Sequence, residues 1–236
     1  MKYLGSQILE TERTLLRPTI ETDLYILWKI LGNKEVSKYY LVGKYNTNWL
    51  DEKKWQYKKL ERALNKDVFQ WTILLKETNE PIGQICCQSI LEKPDYIRDL
   101  GWFIDKPFQG KGIGTEVSKK VVDYMFKEVR IDKIETCAAI TNPASWHLME
   151  KMNFNKTDKT VKIKYTFLET EEECICYEIT RDEYLEYPKS IYKNKKINKG
   201  RFWNYRIWQG NTNFEKFLSQ FQLWSIKQMW LKIWTL

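Results

Sequence analysis

The sequence predicts an α/β domain whose mixed, mostly antiparallel central sheet is flanked by helices, followed by a basic, aromatic and helical extension. The first observation is the order of strand and helix patterns, β-α-α-β-β-β-α-β-α-β-β, which is typical of an α/β fold. The second is a run of three adjacent strand patterns before a crossover helix, which indicates antiparallel pairing. The third is a shift in composition, which predicts a domain of residues 1–183 and an extension of residues 184–236.

The first part of the chain predicts a strand and a helix. Residues 7–17 form a strand pattern that ends at Pro18. Thr22 or Asp23 can cap the helix that follows, and Gly32 marks its end.

The next segment predicts one helix and three strands. Residues 49–64 carry apolar side chains among many charges, which indicates a half-exposed helix. A turn over residues 79–81 joins the first two strands as a hairpin. The strand patterns span residues 69–75, 81–90 and 97–104.

The second half of the domain predicts two helices and three strands. Apolar residues at steps of four predict a helix over residues 113–129, and residues 134–140 predict a short strand. Residues 142–152 predict a helix, because Asn is a favoured N-cap and Pro suits the first helical position. Residues 154–180 contain two further strand patterns around an acidic turn.

The composition limits the classes of function. The chain has 236 residues, 43% of them hydrophobic, with 39 basic against 31 acidic residues and a net charge of +8. The share of hydrophobic residues excludes a disordered or fibrous protein. No apolar stretch is long enough to predict a membrane-spanning helix. The N-terminal residues lack the apolar run of a secretory signal, so we expect a cytoplasmic protein. Five cysteines without a C-x-x-C spacing and a single histidine, His147, predict reduced thiols and no metal site.

The extension carries the net charge. Residues 184–236 hold 10 basic and 2 acidic residues together with 13 aromatic ones, whereas residues 1–183 hold 29 basic and 29 acidic residues. Residues 193–206 mix cations with aromatic rings, a composition able to bind RNA or an anionic membrane. Apolar positions over residues 213–234 predict an amphipathic helix. We expect this helix to pack on the domain or on a second subunit, with contact to RNA or membrane as the alternative.

A glycine-rich loop lies between a predicted strand and a predicted helix. Its alternate glycines let the backbone approach a ligand closely, and the free amides at a helix start attract anions, which predicts a phosphate site. The spacing does not fit a Walker loop and matches a dinucleotide fingerprint poorly, and a turn without a ligand is a further alternative. The loop consists of Gln109, Gly110, Lys111, Gly112, Ile113, Gly114 and Thr115.

With this loop the chain resembles the GNAT superfamily of acetyl-CoA-dependent N-acetyltransferases. Gln109-x-x-Gly112-x-Gly114 is similar to the pyrophosphate motif Q/R-x-x-G-x-G/A of that superfamily. The resemblance covers about residues 7–183 and implies a GNAT-type sheet. It is strongest to the RimJ/RimL-like branch, which acetylates the N-termini of ribosomal proteins. Further similar features follow in the same order, at residues 9–23, 81–83, 99–104 and 142–154.

The resemblance implies a seat for acetyl-CoA, which serves as co-substrate. The loop of residues 109–115 would hold the pyrophosphate. Asn142 and Ser145 would contact the pantetheine, although capping of the last helix explains both residues as well. One strand would pair its backbone with the pantetheine and polarise the thioester carbonyl, through Trp102, Phe103 and Ile104.

Two side chains are candidates for the chemistry. Asp99 is the candidate general base that removes the proton of the amine, with an ion pair to Arg98 or to a lysine of the extension as the alternative. Ser145 is the candidate proton donor to the sulfur. Many relatives place a tyrosine acid where Met149 stands, and they usually end this helix with Gly where Asn153 stands, the next-best residue for a left-handed cap.

The implied reaction is direct transfer of acetyl from acetyl-CoA to a primary amine in a ternary complex, with a peptide N-terminus favoured as acceptor. One alternative is a small-molecule amine such as an aminoglycoside or a polyamine. Another is a non-catalytic acyl-CoA-binding module whose extension binds RNA or membrane. A homodimer is compatible with the sequence.

Overall fold

The computed structural model describes most of the predicted domain. The predicted basic segment and amphipathic helix of the extension lie outside the described residues, so their roles stay predictions. Residues 181–186 are helical, and Tyr184 packs on Phe126 with ring centroids 5.2 Å apart. The boundary at residue 184 stays a prediction. The described residues are 1–40, 48–165, 168 and 170–186, without the side chains of Asp51, Trp55, Lys59 and Arg62.

Eight strands of the described residues form one sheet. Their order across the sheet is β1-β2-β3-β4-β5-β6-β8-β7, and β5 and β6 are parallel while the other neighbours are antiparallel. This confirms the predicted mixed, mostly antiparallel sheet. The strands are β1 (Leu9–Glu10), β2 (Thr14–Pro18), β3 (Gln70–Leu75), β4 (Pro81–Ser89), β5 (Ile97–Ile104), β6 (Lys133–Ala139), β7 (Asn155–Lys164) and β8 (Glu171–Thr180).

Helices cover both faces of the sheet. Successive strand residues point to opposite faces, and Ile104 of β5 packs in a core cluster with Val117 of the fourth helix, whereas Phe103 packs with Leu27 of the first. No helix of the described residues is long and apolar enough to cross a membrane. The helices are α1 (Leu24–Gly32), α2 (Lys34–Ser37), α3 (Trp49–Ala63), α4 (Ile113–Tyr124) and α5 (Pro143–Lys151).

The predicted single strand of residues 7–17 is wrong, because a tight turn divides it into β1 and β2. The Thr11 hydroxyl oxygen accepts the Thr14 N–H at 2.9 Å, and the Thr11 N–H donates to the Thr14 carbonyl at 2.9 Å. A threonine side chain that bonds a nearby backbone amide competes with a continuous strand. This turn places Arg13 at the tip of a hairpin.

Two helix ends depend on residues with positive φ. The predicted helix of residues 113–129 is present as α4 followed by a π-helical turn over Met125–Val129, and Arg130 ends it at φ 62°. Asn153 adopts φ 63° after α5, which confirms that Asn serves as the left-handed cap in place of the usual glycine.

The cysteines differ from the prediction of five reduced thiols. Cys137 of β6 and Cys176 of β8 form a disulfide with their Cα atoms 4.1 Å apart, because the antiparallel register places them directly opposite. They are 39 positions apart in the sequence, which hides this proximity. Cys86 and Cys87 are buried free thiols, and burial raises the pKa of Cys86 to about 12, which disfavours a nucleophilic role.

Candidate active site

The sheet opens between β5 and β6. The two strands pair only at their first residues, Ile97 with Lys133 and Arg98 with Ile134, although β5 continues to Ile104. The separation forms part of a cleft of about 1320 Å³. Eleven of the thirteen predicted site residues line this cleft: Asp99, Trp102, Phe103, Ile104, Gln109, Gly110, Gly112, Gly114, Thr115, Asn142 and Ser145.

The glycine loop has the backbone conformation that a close ligand contact requires. Gly110 and Gly112 adopt φ 73° and φ 80°, values that glycine reaches without strain. Gly112 is the N-cap of α4, so the amides of the first helical turn lie directly behind the loop. A Cβ atom on Gly114 would lie 3.2 Å from Leu148 Cδ1, so this glycine lets α4 approach α5 closely.

Two residues of the loop turn away from the cleft. Lys111 is exposed, and its Nζ lies 5.8 Å from the centroid of the Phe108 ring. Ile113 is only 3% exposed and belongs to the hydrophobic core. The Ile113 side chain thus anchors the start of α4, and its backbone amide is the part available to a ligand.

The backbone of β5 faces the cleft at alternate residues. Just beyond β5, the Asp105 N–H donates to the Ile82 carbonyl of β4 at 2.7 Å. Hydrogen-bonded and non-hydrogen-bonded pairs alternate along antiparallel strands, so the polar backbone groups of Phe103 also face β4. Those of Trp102 and Ile104 point to the opposite side, into the cleft.

Two side chains bond the carbonyls of β5 that face the cleft. The Gln109 amide donates to the Ile104 carbonyl at 2.8 Å, and the Thr136 hydroxyl donates to the Leu100 carbonyl at 3.2 Å. Gln109 therefore ties the glycine loop to the end of β5. Trp102 lies between Leu100 and Ile104 on the same side of β5. Within the described residues, no side chain bonds the backbone N–H or C=O that Trp102 turns toward the cleft.

Asp99 lies on the wall of the cleft with an uncharged partner. The Gln88 amide donates to Asp99 Oδ2 at 3.1 Å. Burial raises the pKa of Asp99 and outweighs the opposing hydrogen bonds, of which the one from Gln88 has the largest effect. A raised pKa makes this carboxylate a stronger base than an exposed one.

The alternative ion pair of Asp99 with Arg98 is wrong. Neighbouring strand residues point to opposite faces, and Arg98 is 1% exposed. Its Nε donates to the Asp95 carbonyl at 2.6 Å and its Nη1 to the Ser89 hydroxyl at 2.7 Å. The other alternative, a lysine of the extension beyond residue 186, lies outside the described residues.

Asn142 and Ser145 meet at the N-terminus of α5. Pro143 occupies the first turn as predicted, but the Asn142 side chain makes no capping hydrogen bond. The backbone carbonyl of Asn142 instead accepts a hydrogen bond from the Ser145 N–H at 3.1 Å. Side-chain capping by Asn142 is therefore wrong, since a backbone bond closes this turn, and both side chains lie on the cleft.

Among the described residues, four tyrosines that line the cleft were not predicted as site residues, and the hydroxyls of three of them, Tyr39, Tyr165 and Tyr177, contact protein groups. Met149 is fully buried in the core. Tyr39 donates to the Thr141 carbonyl at 2.8 Å, and Tyr177 donates to Glu150 at 3.1 Å. Burial raises the pKa of Tyr177 to about 12. Tyr165 lies 3.5 Å from the Cys174 sulfur. Their hydroxyls are engaged with protein groups, so none replaces the tyrosine acid directly.

Further residues that line the cleft, outside the glycine loop, were not predicted from the sequence. Trp28 of α1, Tyr40 and Gln88 line the cleft, and Tyr40 packs edge-on against Phe103 at 5.3 Å between centroids. The buried Trp28 indole N–H has no hydrogen-bond partner among the described residues. These residues come from separate elements, and no local sequence pattern joins them.

The single histidine lies at the surface and is among the residues that line the cleft. His147 is exposed, and its ring centroid is 3.9 Å from that of Trp146. In the part of the chain that the structure describes, no three His, Cys, Asp or Glu side chains are grouped so that they could hold a metal ion.

Comparison with known proteins agrees with this geometry. The family model described as "Acetyltransferase (GNAT) domain" matches residues 13–155. The chain is 32% identical over 106 residues to the protein named "Probable N-acetyltransferase YjcK" of Bacillus subtilis (strain 168), a match that covers 44% of this chain and 59% of that protein.

Solved structures share the fold at low sequence identity. The ribosomal-protein-S5-alanine acetyltransferase of Vibrio fischeri matches with a TM-score of 0.64 and 18% identity, over 76% of this chain and 99% of that one. The spermidine N-acetyltransferase of Vibrio cholerae, in complex with CoA and spermine, matches with a TM-score of 0.62 and 20% identity, over 73% and 98% of the two chains. Together with the family match over residues 13–155, the open β5–β6 sheet identifies the chain as a member of the GNAT acetyltransferase family.

Proposed function

We propose that this chain transfers the acetyl group of acetyl-CoA directly to the α-amine of a peptide N-terminus in a ternary complex. The observation that carries the proposal is the cleft between β5 and β6, which collects the glycine loop, the open backbone of β5 and Asp99. Acetyl-CoA supplies an activated thioester. The rest of the chemistry depends on how the protein orients the donor and removes the proton of the amine.

The fit of the donor rests on backbone groups. With Gly112 at φ 80°, the N–H groups of the first turn of α4 are free to donate hydrogen bonds to the pyrophosphate. The backbone of Trp102 pairs with the pantetheine in the way an added strand does. Its N–H then polarises the thioester carbonyl, and the Asn142 and Ser145 side chains bind along the same path.

Asp99 serves as general base in this proposal. Its pKa is raised by burial, which brings it closer to that of the amine. A peptide α-amine has a pKa of about 7.7–8.0, whereas a lysine-type amine has one of about 10.4. A carboxylate whose pKa is raised above its ordinary value is still far less basic than a lysine-type amine, so it is matched to the α-amine better than to that more basic amine.

Ser145 stabilises the leaving thiolate. It lies in the first turn of α5, where the helix carries partial positive charge. Its hydroxyl can donate a hydrogen bond to the sulfur as negative charge develops. This supports Ser145 in the role that a tyrosine fills in many relatives.

The charges around the cleft support a single-amine acceptor. Glu135 forms ion pairs with Lys93 and Lys133, and Glu178 pairs with Lys133 at 2.7 Å. Glu35, which also lines the cleft, pairs with Lys106 at 3.9 Å. Asp99 forms no ion pair within the described residues, and its partner is the Gln88 amide. A polyamine carries several ammonium groups that each favour a free carboxylate, so this wall suits one amine better than several.

The proposal is tested by comparing acceptors. The purified full chain is incubated with acetyl-CoA and either alanine-initiated and serine-initiated peptides, the same peptides with a blocked N-terminus, spermidine, or an aminoglycoside. We expect CoA release with the free peptides alone, and mass spectrometry should place the acetyl group on the α-amine. Turnover with spermidine or the aminoglycoside and none with peptides would contradict the acceptor class. Acetyl-CoA binding without turnover of any amine would contradict the enzymatic role.

A further inference from the structure

We propose that Arg13 is a positioning residue that fixes the glycine loop in the orientation that binds pyrophosphate. The inference rests on the proposed use of this loop for acetyl-CoA. Arg13 stands at the tip of the β1–β2 hairpin, outside the cleft lining. It acts on the donor through the Lys111 carbonyl and through Glu116, without touching the donor itself.

All three guanidinium nitrogens of Arg13 contact the loop or the helix behind it. Nη1 donates to the Lys111 carbonyl at 2.8 Å. Nε donates to Glu116 Oε2 at 2.7 Å, and Nη2 lies 2.6 Å from the same oxygen. The Arg13 backbone N–H also donates to Glu116 Oε1 at 2.9 Å. One side chain therefore joins the hairpin, the loop and the first turn of α4.

The bond to the Lys111 carbonyl sets the direction of the next amide. In a planar trans peptide the C=O and the following N–H point in opposite directions. Holding the Lys111 carbonyl toward Arg13 therefore turns the Gly112 N–H away from Arg13. Gly112, on the C-terminal side of this peptide, offers little resistance to its rotation, so an external group is needed to select one orientation.

Arg13 also compensates a negative charge beside the phosphate site. Glu116 lies in the first turn of α4, where a free carboxylate would repel a pyrophosphate. Burial acts to raise the pKa of Glu116, but hydrogen bonds from Thr11 and Arg13 outweigh it and hold the pKa below its usual value. The carboxylate thus stays ionised, and Arg13 is the cation that pairs with it.

Calorimetric titration with acetyl-CoA tests the proposal without any acceptor. We expect Arg13→Gln to weaken acetyl-CoA binding about tenfold or more, the loss typical of a charge-assisted hydrogen bond. Calorimetry with S-acetylpantetheine, which lacks the pyrophosphate, should give the same affinity for Arg13→Gln as for the wild type. Arg13→Lys should fall between the two proteins, because one ammonium cannot bond Glu116 and the Lys111 carbonyl in the same fork. The matched control is Arg181→Gln, which removes a half-buried arginine whose Nη1 lies 3.9 Å from Asp132 Oδ1.

Each result decides one question. No binding of acetyl-CoA by the wild type would overturn the proposed function itself. Wild-type affinity in Arg13→Gln would overturn the role of Arg13 and leave the function intact. Equal losses with acetyl-CoA and S-acetylpantetheine would overturn positioning in favour of general destabilisation. Full recovery in the double variant Arg13→Gln/Glu116→Gln would also overturn it, because charge compensation alone would then explain the effect.

Discussion

The two walls of the cleft are built on different principles. The wall proposed to bind the donor, here called the donor wall, consists mainly of backbone: the glycine loop of residues 109–115, the first turn of α4 and the open side of β5. The wall proposed to bind the acceptor, here called the acceptor wall, consists of side chains from separate elements, among them Trp28, Gln88 and Asp99. Backbone groups serve any donor of the same chemical form, whereas side chains can change one at a time. If the proposed roles hold, the fold fixes the donor and individual residues fix the acceptor.

The largest effect is expected at Asp99 of the acceptor wall, where a substitution should reduce activity without weakening the binding of the donor. Asp99→Asn keeps the size of the side chain but removes the base, so we expect kcat/KM to fall by about 10²- to 10⁴-fold with unchanged acetyl-CoA affinity. In the wild type the rate should rise with pH as Asp99 loses its proton, at a pH above that of an ordinary aspartate because burial raises its pKa. The control is Asp132→Asn on the surface. An identical pH–rate profile in Asp99→Asn would remove Asp99 from the mechanism.

The next effect tests the donor wall. Gly112→Val forces a β-branched residue into φ 80°, which costs about 1–3 kcal/mol or lets the loop rearrange. Calorimetry should show acetyl-CoA binding weakened about 5- to 150-fold, with the fold retained by circular dichroism. Gly32→Ala is the matched control, since an added Cβ there meets no atom within 4 Å. Undiminished affinity in Gly112→Val would mean that the loop does not bind the donor.

A smaller effect concerns the sulfur. Ser145→Ala removes one hydrogen-bond donor, and we expect kcat to fall about two- to tenfold in steady-state assays at saturating acetyl-CoA. Ser145→Thr keeps the hydroxyl and should retain most of the rate. If Ser145→Ala changes neither kcat nor the KM for acetyl-CoA, the serine is a structural residue of α5.

The last effect, which is confined to low pH, sharpens the role of Asp99. Gln88 donates to Asp99 and so opposes the rise in its pKa. Gln88→Leu should raise the pKa of Asp99 further and move the acid limb of the pH–rate profile to higher pH. The rate below that limb should fall about two- to tenfold, while the plateau at high pH stays the same. A shift of the limb to lower pH would show that Gln88 does not stabilise the carboxylate.

The difference between the walls also explains what the sequence could predict. The glycine loop is seven adjacent residues, and its spacing alone predicts a phosphate site. The left-handed cap at Asn153 was predicted from the resemblance, because Asn stands there where relatives usually have Gly. Local patterns give most of the strands and the main helices, although the strand of residues 7–17 is divided in two.

Features that depend on tertiary contacts could not be predicted. Trp28 and Gln88 line the same cleft as Asp99 only because the sheet register and the packing of α1 bring these elements together. Arg13 bonds Glu116, 103 positions away along the chain. At Asn142 the residue type favours a side-chain cap, yet a backbone bond closes the turn and leaves the side chain to the cleft.

The early separation of β5 from β6 has a consequence for the stability of the domain. Backbone pairing across this line is limited to residues 97–98 and 133–134, so a donor lying along β5 would complete part of the missing pairing. Ligands that bind only the native state stabilise it by about 2.7 kcal/mol when present at a hundredfold excess over Kd. The melting temperature of this protein should therefore rise with acetyl-CoA concentration, and the stability of the enzyme in a cell would follow the supply of its own substrate.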